Sequence, residues 1–313
     1  MSEGKKVGIL KEVLGDFYRE GAQQLLFHCP RCSHHKKKLS VNIEKDVFKC
    51  WVCDYSGRSI YRLVRRFGTH RNRIDWSELT NRIDPAAFSR ELFETKEEKE
   101  QIIELPKEFI SLVNKNLPPT SAWPLNYLYS RGLTKEDIVR WKIGYCYEGE
   151  YASRTIVPSF GLSGGINYFT ARTYIPNEWK RYINPPVMRD IVFNHLYLDF
   201  DEDLTITEGI FDAIVAGPNA VPILGSTLRE RSKLFQEIVK NDTPVYIALD
   251  PDAEKKAMRL IANLLKYGIE TYKIDIAPYS DVGEMSRKEF NVRKQKATVM
   301  NTTNYLLRTI AGI

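Results

Sequence analysis

The chain has 313 residues, a formal charge of +6 and 43% hydrophobic residues, enough for two or three domains with cores of their own. No apolar run approaches the ~18 residues of a membrane-spanning helix. The opening MSEGKKVGILKEVL lacks a secretory apolar stretch, so membrane and exported classes drop out and a cytoplasmic protein (in the host cell, if viral) is expected.

Charge is unevenly placed. Residues 1–75 carry 16 Lys and Arg against 8 Asp and Glu, and the remainder carries 30 against 32. A basic first quarter on a near-neutral body points to nucleic acid as the partner of the N-terminal part. Val7, Leu10, Val13, Leu14 and Phe17 recur at helical spacing and predict a helix over 3–20. Leu25–Phe27 then leads into Cys29-Pro-Arg-Cys32, which Cys50-Trp-Val-Cys53 answers after 17 residues. Two such knuckles let four thiolates close a tetrahedron on one structural Zn²⁺, and a cytosolic setting argues against disulfides. Between them, LSVNIEKDVFKCW alternates like two strands with a turn near Glu44–Asp46. A ribbon this small needs the metal to hold it. Arg31, His34, His35, Lys36, Lys37 and Lys38 beside Phe48, Trp51 and Tyr55 combine cations for phosphates with rings for bases, a surface for single-stranded DNA. Arg31, His34, Lys36 and Trp51 are its candidate contacts. A basic amphipathic helix follows over Ser59–Phe67, and 75–105, rich in both charges, predicts a tether.

Farther along, Cys146 sits in an apolar–aromatic run and reads as a buried small hydrophobe. Leu204–Thr207 and Val245–Leu249 are short and partly β-branched, as suits buried parallel strands. The first ends in Glu208, the second in Asp250 and Asp252. Beyond the carboxyl ends of such strands, where ligands bind in open α/β sheets, three carboxylates would repel one another without a divalent cation. All-oxygen acidic sites suit Mg²⁺ or Mn²⁺. Ile210–Ala216 predicts a helix carrying Asp212, VPILG a strand, LRERSKLFQEIVKN a helix, and EKKAMRLIANLLKYG a helix closed by Gly268. IETYKIDIA predicts a strand, and the following PYSDVGEMSRKEF brings further acids, among them Asp281 and Glu284. No GxxxxGK[ST] phosphate loop occurs.

Glu208-Gly209 with Asp212, followed by Asp250-x-Asp252, resembles the Toprim signature of primases, topoisomerases and some nucleases. The middle block narrows the likeness. Tyr127, Leu128, Arg131, Gly132, Leu133, Gly144 and Tyr145 resemble a segment of bacterial and phage primases; so do Arg154, Pro158, Gly165, Phe169 and Arg172, then Lys180, Arg181, Tyr182, Asn184 and Pro185. The resemblance, to bacteriophage DNA primases of the bacterial type, implies an α/β fold: a small β zinc ribbon plus an α+β RNA-polymerase body containing a mostly parallel Toprim sheet. It implies a ribbon domain over 1–74, a linker over 75–105, the first part of the polymerase domain over 106–203, and the Toprim part with C-terminal helices over 204–313. Catalytic metal would rest on Glu208, Asp250, Asp252 and Asp281. Arg154, Arg172, Lys180, Arg181, Tyr182 and Asn184 would bind nucleotide and template. The activity implied is synthesis of short RNA primers from ribonucleoside triphosphates on single-stranded DNA, beside a separate hexameric replicative helicase. Pro251 departs from the small residue usual in the DxD pair, tolerable where the strand has ended. A Toprim nuclease, or a non-catalytic zinc and Toprim recombination mediator, is the alternative.

Overall fold

The computed structural model describes residues 2–21, 23–81, 100–225 and 227–311, and the chain divides into two compact units, Met1–Asp84 and Pro85–Ile313. The first unit runs α1 (Ser2–Leu14), β1 (Tyr18–Glu20), β2 (Gln24–Phe27), β3 (Leu39–Asn42), β4 (Val47–Cys50), β5 (Ser56–Gly57), α2 (Tyr61–Phe67) and α3 (His70–Thr80). Its five strands pair antiparallel in chain order. The helix expected over 3–20 stops at Leu14. Gly15 takes a φ of +85°, a left-handed turn that glycine adopts without steric cost. The chain then reverses, so Tyr18–Glu20 joins the sheet, and Phe17 packs 5.4 Å from Phe27.

This unit is larger than a bare ribbon, because helix residues Leu10, Leu63, Val64 and Trp76 share one core with Leu39 and Phe48 of the sheet. It also outruns the boundary expected at 74. Helix α3 starts in a reciprocal cap between Thr69 and Asn72, a device that contributes about 1 kcal/mol. Trp76 on it is 2% exposed, and Asn81 closes it at a φ of +50°. The start of the expected tether is therefore folded. Its end is anchored too: Ile103 N donates to Ile166 O at 2.8 Å, and Glu100 accepts from Leu162 N and Ser163 N at 2.8 and 3.0 Å. The remainder of that expectation, 82–99, lies outside the described residues.

In the second unit come β6 (Phe109–Ser111), α4 (Ala122–Ser130), α5 (Lys135–Arg140), β7 (Gly144–Cys146), β8 (Arg154–Phe160) and β9 (Ile166–Thr173). Strands β6 to β9 form an antiparallel sheet in chain order. There follow β10 (Leu204–Thr207), α6 (Ile210–Ala216), β11 (Ala220–Pro222), α7 (Lys233–Lys240), β12 (Val245–Ala248), α8 (Glu254–Lys266), β13 (Thr271–Lys273), α9 (Arg287–Gln295), β14 (Thr298–Met300) and α10 (Thr302–Ala311). The second sheet has the order β11-β10-β12-β13-β14; its first four strands are parallel and β14 joins antiparallel. Every residue of β10 is buried, as expected of a central parallel strand covered on both faces. One hydrophobic cluster joins Leu128 and Tyr168 of the first half to Ile206, Phe235 and Leu264 of the second.

Some predicted elements are shorter than their sequence pattern. Helix α7 begins at Lys233 rather than Leu228, because Arg229 to Ser232 form a turn closed by Ser232 N donating to Arg229 O at 2.9 Å. Gly268, at a φ of +70°, closes the turn after α8 as expected. Cys146 is fully buried, and burial pushes its thiol up to about 12, a small hydrophobe rather than a nucleophile. Among the described residues no helix is long and apolar enough to cross a membrane.

Candidate active site and zinc centre

The two knuckles of the first unit meet. The four Sγ atoms lie within 4.8 Å of one another, with Cys29–Cys53 at 3.8 Å and Cys32–Cys50 at 3.9 Å. A disulfide would need about 2.05 Å. Four thiolates bound at ~2.3 Å to a tetrahedral centre stand ~3.8 Å apart, so the donor set fits Zn²⁺ in both chemistry and spacing. Around it, Trp51 is 63% exposed with Lys49 Nζ 5.1 Å from its ring centre, Lys36 is exposed and His34 is half-buried. His34 Nδ1 accepts from Lys36 N at 3.1 Å, which folds that loop on itself. Arg31 lies over the Tyr55 ring at 5.2 Å. Tyr55, expected to flank this surface, is instead buried in the core, and Phe48 packs the ribbon, the alternative fate of that ring, with the two rings 5.1 Å apart. The strand alternation that exposes Lys49 turns Phe48 inward.

In the second unit β10 and β12 are adjacent and parallel, with Thr207 level with Ala248. Glu208 therefore leaves one strand beside the point where Leu249-Asp250 leaves the other, and a 3₁₀ turn over Pro251–Ala253 brings Asp252 back. One oxygen from each of Glu208, Asp250 and Asp252 lies within 4.8 Å of the other two. Glu208 Oε2, Asp250 Oδ1 and Asp281 Oδ1 are buried and accept no hydrogen bond. Buried carboxylate oxygens left so are costly, and a divalent cation is what such a hard, all-oxygen set accommodates.

Behind the trio stands Asp212, 7% exposed. Its Oδ2 accepts from Gly209 N at 2.9 Å, closing the first turn of α6, and its Oδ1 accepts from Gly283 N at 2.8 Å. Burial, then the neighbouring Asp281, raises its carboxyl. Asp281 thus sits with Asp212, apart from the three carboxylates grouped within 4.8 Å, while Glu284 is exposed and accepts from Ser280 N at 2.9 Å. Burial, followed by Asp212, Glu208, Asp281 and Asp252, pushes Asp250 up to about 7 from 3.8. The native carboxyl holds a proton in that window which the unfolded chain has released, so the metal-free protein loses stability as pH rises from about 4 to about 7. Proton and cation compete for the same oxygens. Mn²⁺ affinity, read from the paramagnetic resonance of the free ion, is expected to climb with pH to about 7 and then level off; an affinity flat across that window would contradict the crowding of charge at Asp250.

Two guanidiniums flank the ring that precedes Asp212: Arg131 lies 4.9 Å and Arg172 5.2 Å from the centre of Phe211. Both open into a cleft of about 490 Å³ whose walls also include Tyr127, Trp179 and Arg181. Arg172 donates to Tyr182 Oη at 2.6 Å. Arg154 is placed differently. It is buried and donates to Ala152 O at 2.7 Å and Lys180 O at 3.3 Å, pinning the start of β8 to the following loop. Asn184 Oδ1 accepts from Ala171 N at 3.4 Å, also a backbone tie, and Lys180 is at the surface. Arg131 was visible in the sequence only as a motif letter. Lys256, whose Nζ donates to Glu208 Oε1 at 2.9 Å, was missed. Its signal was a position one helical turn after Asp252, which places both on one face.

No family model matches this chain. Among curated proteins it is similar to a DNA primase of Thermotoga maritima, 24% identical over 310 residues, which covers 83% of this chain and 54% of that protein. It is also similar to a DNA primase of Campylobacter jejuni, 25% identical over 300 residues, covering 79% and 47%. The chain thus spans about half the length of the curated relatives it matches. Among solved structures, the DnaG primase catalytic domain bound to ssDNA superposes with a TM-score of 0.52 at 17% identity, over 62% of this chain and 76% of that one. The E. coli primase catalytic core gives 0.50 at 18% identity, over 62% and 78%. The fold of these catalytic cores is the one seen here.

Proposed function

We propose that this chain is a DNA-dependent RNA primase of the bacterial type, making short primers from ribonucleoside triphosphates on single-stranded DNA. The observation that carries this is the meeting of Glu208, Asp250 and Asp252 at the ends of neighbouring parallel strands, beside a cleft walled by arginines. Likeness to curated primases along most of the chain adds to it. Mg²⁺ or Mn²⁺ held by Glu208, Asp250 and Asp252 would supply Lewis-acid stabilisation as a 3′-hydroxyl oxygen bonds to the α-phosphorus and pyrophosphate leaves.

The remaining work falls to the protein's own side chains. Arg131, Arg172 and Arg181 neutralise triphosphate and backbone charge from the cleft side, where fixed guanidiniums are worth more than mobile ones in water. Lys256 and the backbone amides of Gly209 and Gly283 hold Glu208 and Asp212 in orientation. Arg154 and Asn184 act through the loop they tie down. The zinc unit presents unpaired template through Arg31, His34, Lys36 and Trp51. A primosome setting, with a separate hexameric helicase, and a phage source belong to the same reading.

The test is synthesis of short labelled RNA on single-stranded DNA with Mg²⁺ or Mn²⁺ and ribonucleoside triphosphates. Product that needs template and both substrates is the expected result. DNA consumed without ribonucleotides would replace the proposal with a nuclease, and DNA binding with neither product would leave a recombination mediator.

A further inference from the structure

We propose that Trp179 is a stacking platform for an unpaired nucleobase in the arginine-walled cleft, an inference that deepens the primase reading and rests on it for the choice of ligand. Trp179 is 87% exposed, the most exposed large apolar side chain among the described residues. A lone surface tryptophan needs no explanation, but this one forms part of a cavity. The cleft it lines holds three guanidiniums, Arg131, Arg172 and Arg181, with the Tyr127 ring as a further wall.

The backbone presents the indole on a closed loop. Chain leaving β9 turns through Asn177, at a φ of +60°, and returns so that Thr173 N donates to Arg181 O at 3.0 Å. A bridge between Arg172 and Tyr182 seals the base of the loop. Arg172 and Arg181 stand at that base and Trp179 sits near its tip. Chemistry selects the ligand. A π-face beside fixed cations binds a flat aromatic group that carries phosphate, and stacking on an indole is indifferent to which base it is. The one carboxylate in the lining, Glu178, accepts from Lys180 N at 3.4 Å. A volume of about 490 Å³ is within the range of small-molecule sites. The nucleobase can come from the template strand or from an incoming triphosphate; the chemistry is shared, and the experiment separates the two.

In the full-length chain, tryptophan fluorescence is followed in wild type and in Trp179→Phe, with a deoxythymidine oligonucleotide in one arm and a ribonucleoside triphosphate in the other. The difference between the two proteins removes signal from every other tryptophan. A quench present in wild type and missing from Trp179→Phe is expected in at least one arm, and the responding arm names the source of the base. In that arm Trp179→Ala is expected to weaken binding of labelled ligand about tenfold, within the range measured for single base–aromatic stacks, while Trp179→Phe, which keeps a stacking ring, stays near wild type. No Trp179-dependent quench in either arm, or equal affinities for the alanine and phenylalanine variants, overturns the platform. Primer synthesis is assayed on the same wild-type samples. Quenching without RNA product would sink the primase reading and leave the platform, whereas RNA product without the quench would sink the platform alone.

Discussion

Asp250→Asn is expected to lower dinucleotide synthesis at least about 100-fold, because loss of a residue that only hydrogen-bonds to a metal ligand already costs roughly 10–100-fold and Asp250 would be a direct ligand. Single-strand binding should survive nearly intact, since the proposal assigns it to side chains of the zinc unit and the arginine cleft. Stability supplies an independent control. Asp250 is crowded by like charge, raised to about 7 by burial and by four neighbouring acids. Above that pH the native state carries a charge it disfavours, which the amide abolishes. The metal-free variant should therefore melt no lower than wild type above about pH 7. Normal synthesis by the variant would remove metal-assisted transfer from this site, and a lower melting temperature would show that lost activity came from lost structure.

Taking zinc from the first unit is the second large effect. Cys29 and Cys50 are buried in the same core as Leu39, Val41 and Phe48, so unligated thiols would loosen the packing as well as the knuckles. Cys50→Ser with Cys53→Ser, or a chelator, is expected to unfold this unit, abolish template-directed initiation and spare the second unit, whose core is its own. Two thermal transitions should become one, with colorimetric zinc release giving the stoichiometry. Unchanged initiation in protein with metal-free cysteines would refute the part assigned to the ribbon.

What could be read beforehand follows physical lines. The C-x₂-C pairs announce themselves because coordination geometry demands local spacing. The acidic trio does so because strand ends converge in any parallel sheet, and β10, buried throughout, and β12, buried except at Tyr246, are short and rich in apolar and β-branched residues. Phe17 misled because helical spacing continues across Gly15 although the backbone does not. Trp76 was hidden in a run of mixed charge whose burial depends on α1 and α2 packing over α3. Arg154 and Arg172 occupy equivalent places in a motif, and nothing in a motif says which guanidinium opens to a cleft and which is spent on carbonyl oxygens. That distinction depends on the pairing of β8 with β9 and on the loop beyond it.

Asp212 carries a consequence for how this protein can change. One of its oxygens fastens the first turn of α6 and the other reaches 71 residues along the chain to the turn that bears Asp281. Fold and chemistry share a single rivet there. Exchange for asparagine would keep one accepting oxygen and turn the other into a donor, so it would release either the helix turn or the turn that bears Asp281, and only alanine would release both. The proposed ligands Asp250 and Asp252 could therefore be exchanged with little effect on the frame around them, whereas any exchange at Asp212 is expected to be felt in the fold as well.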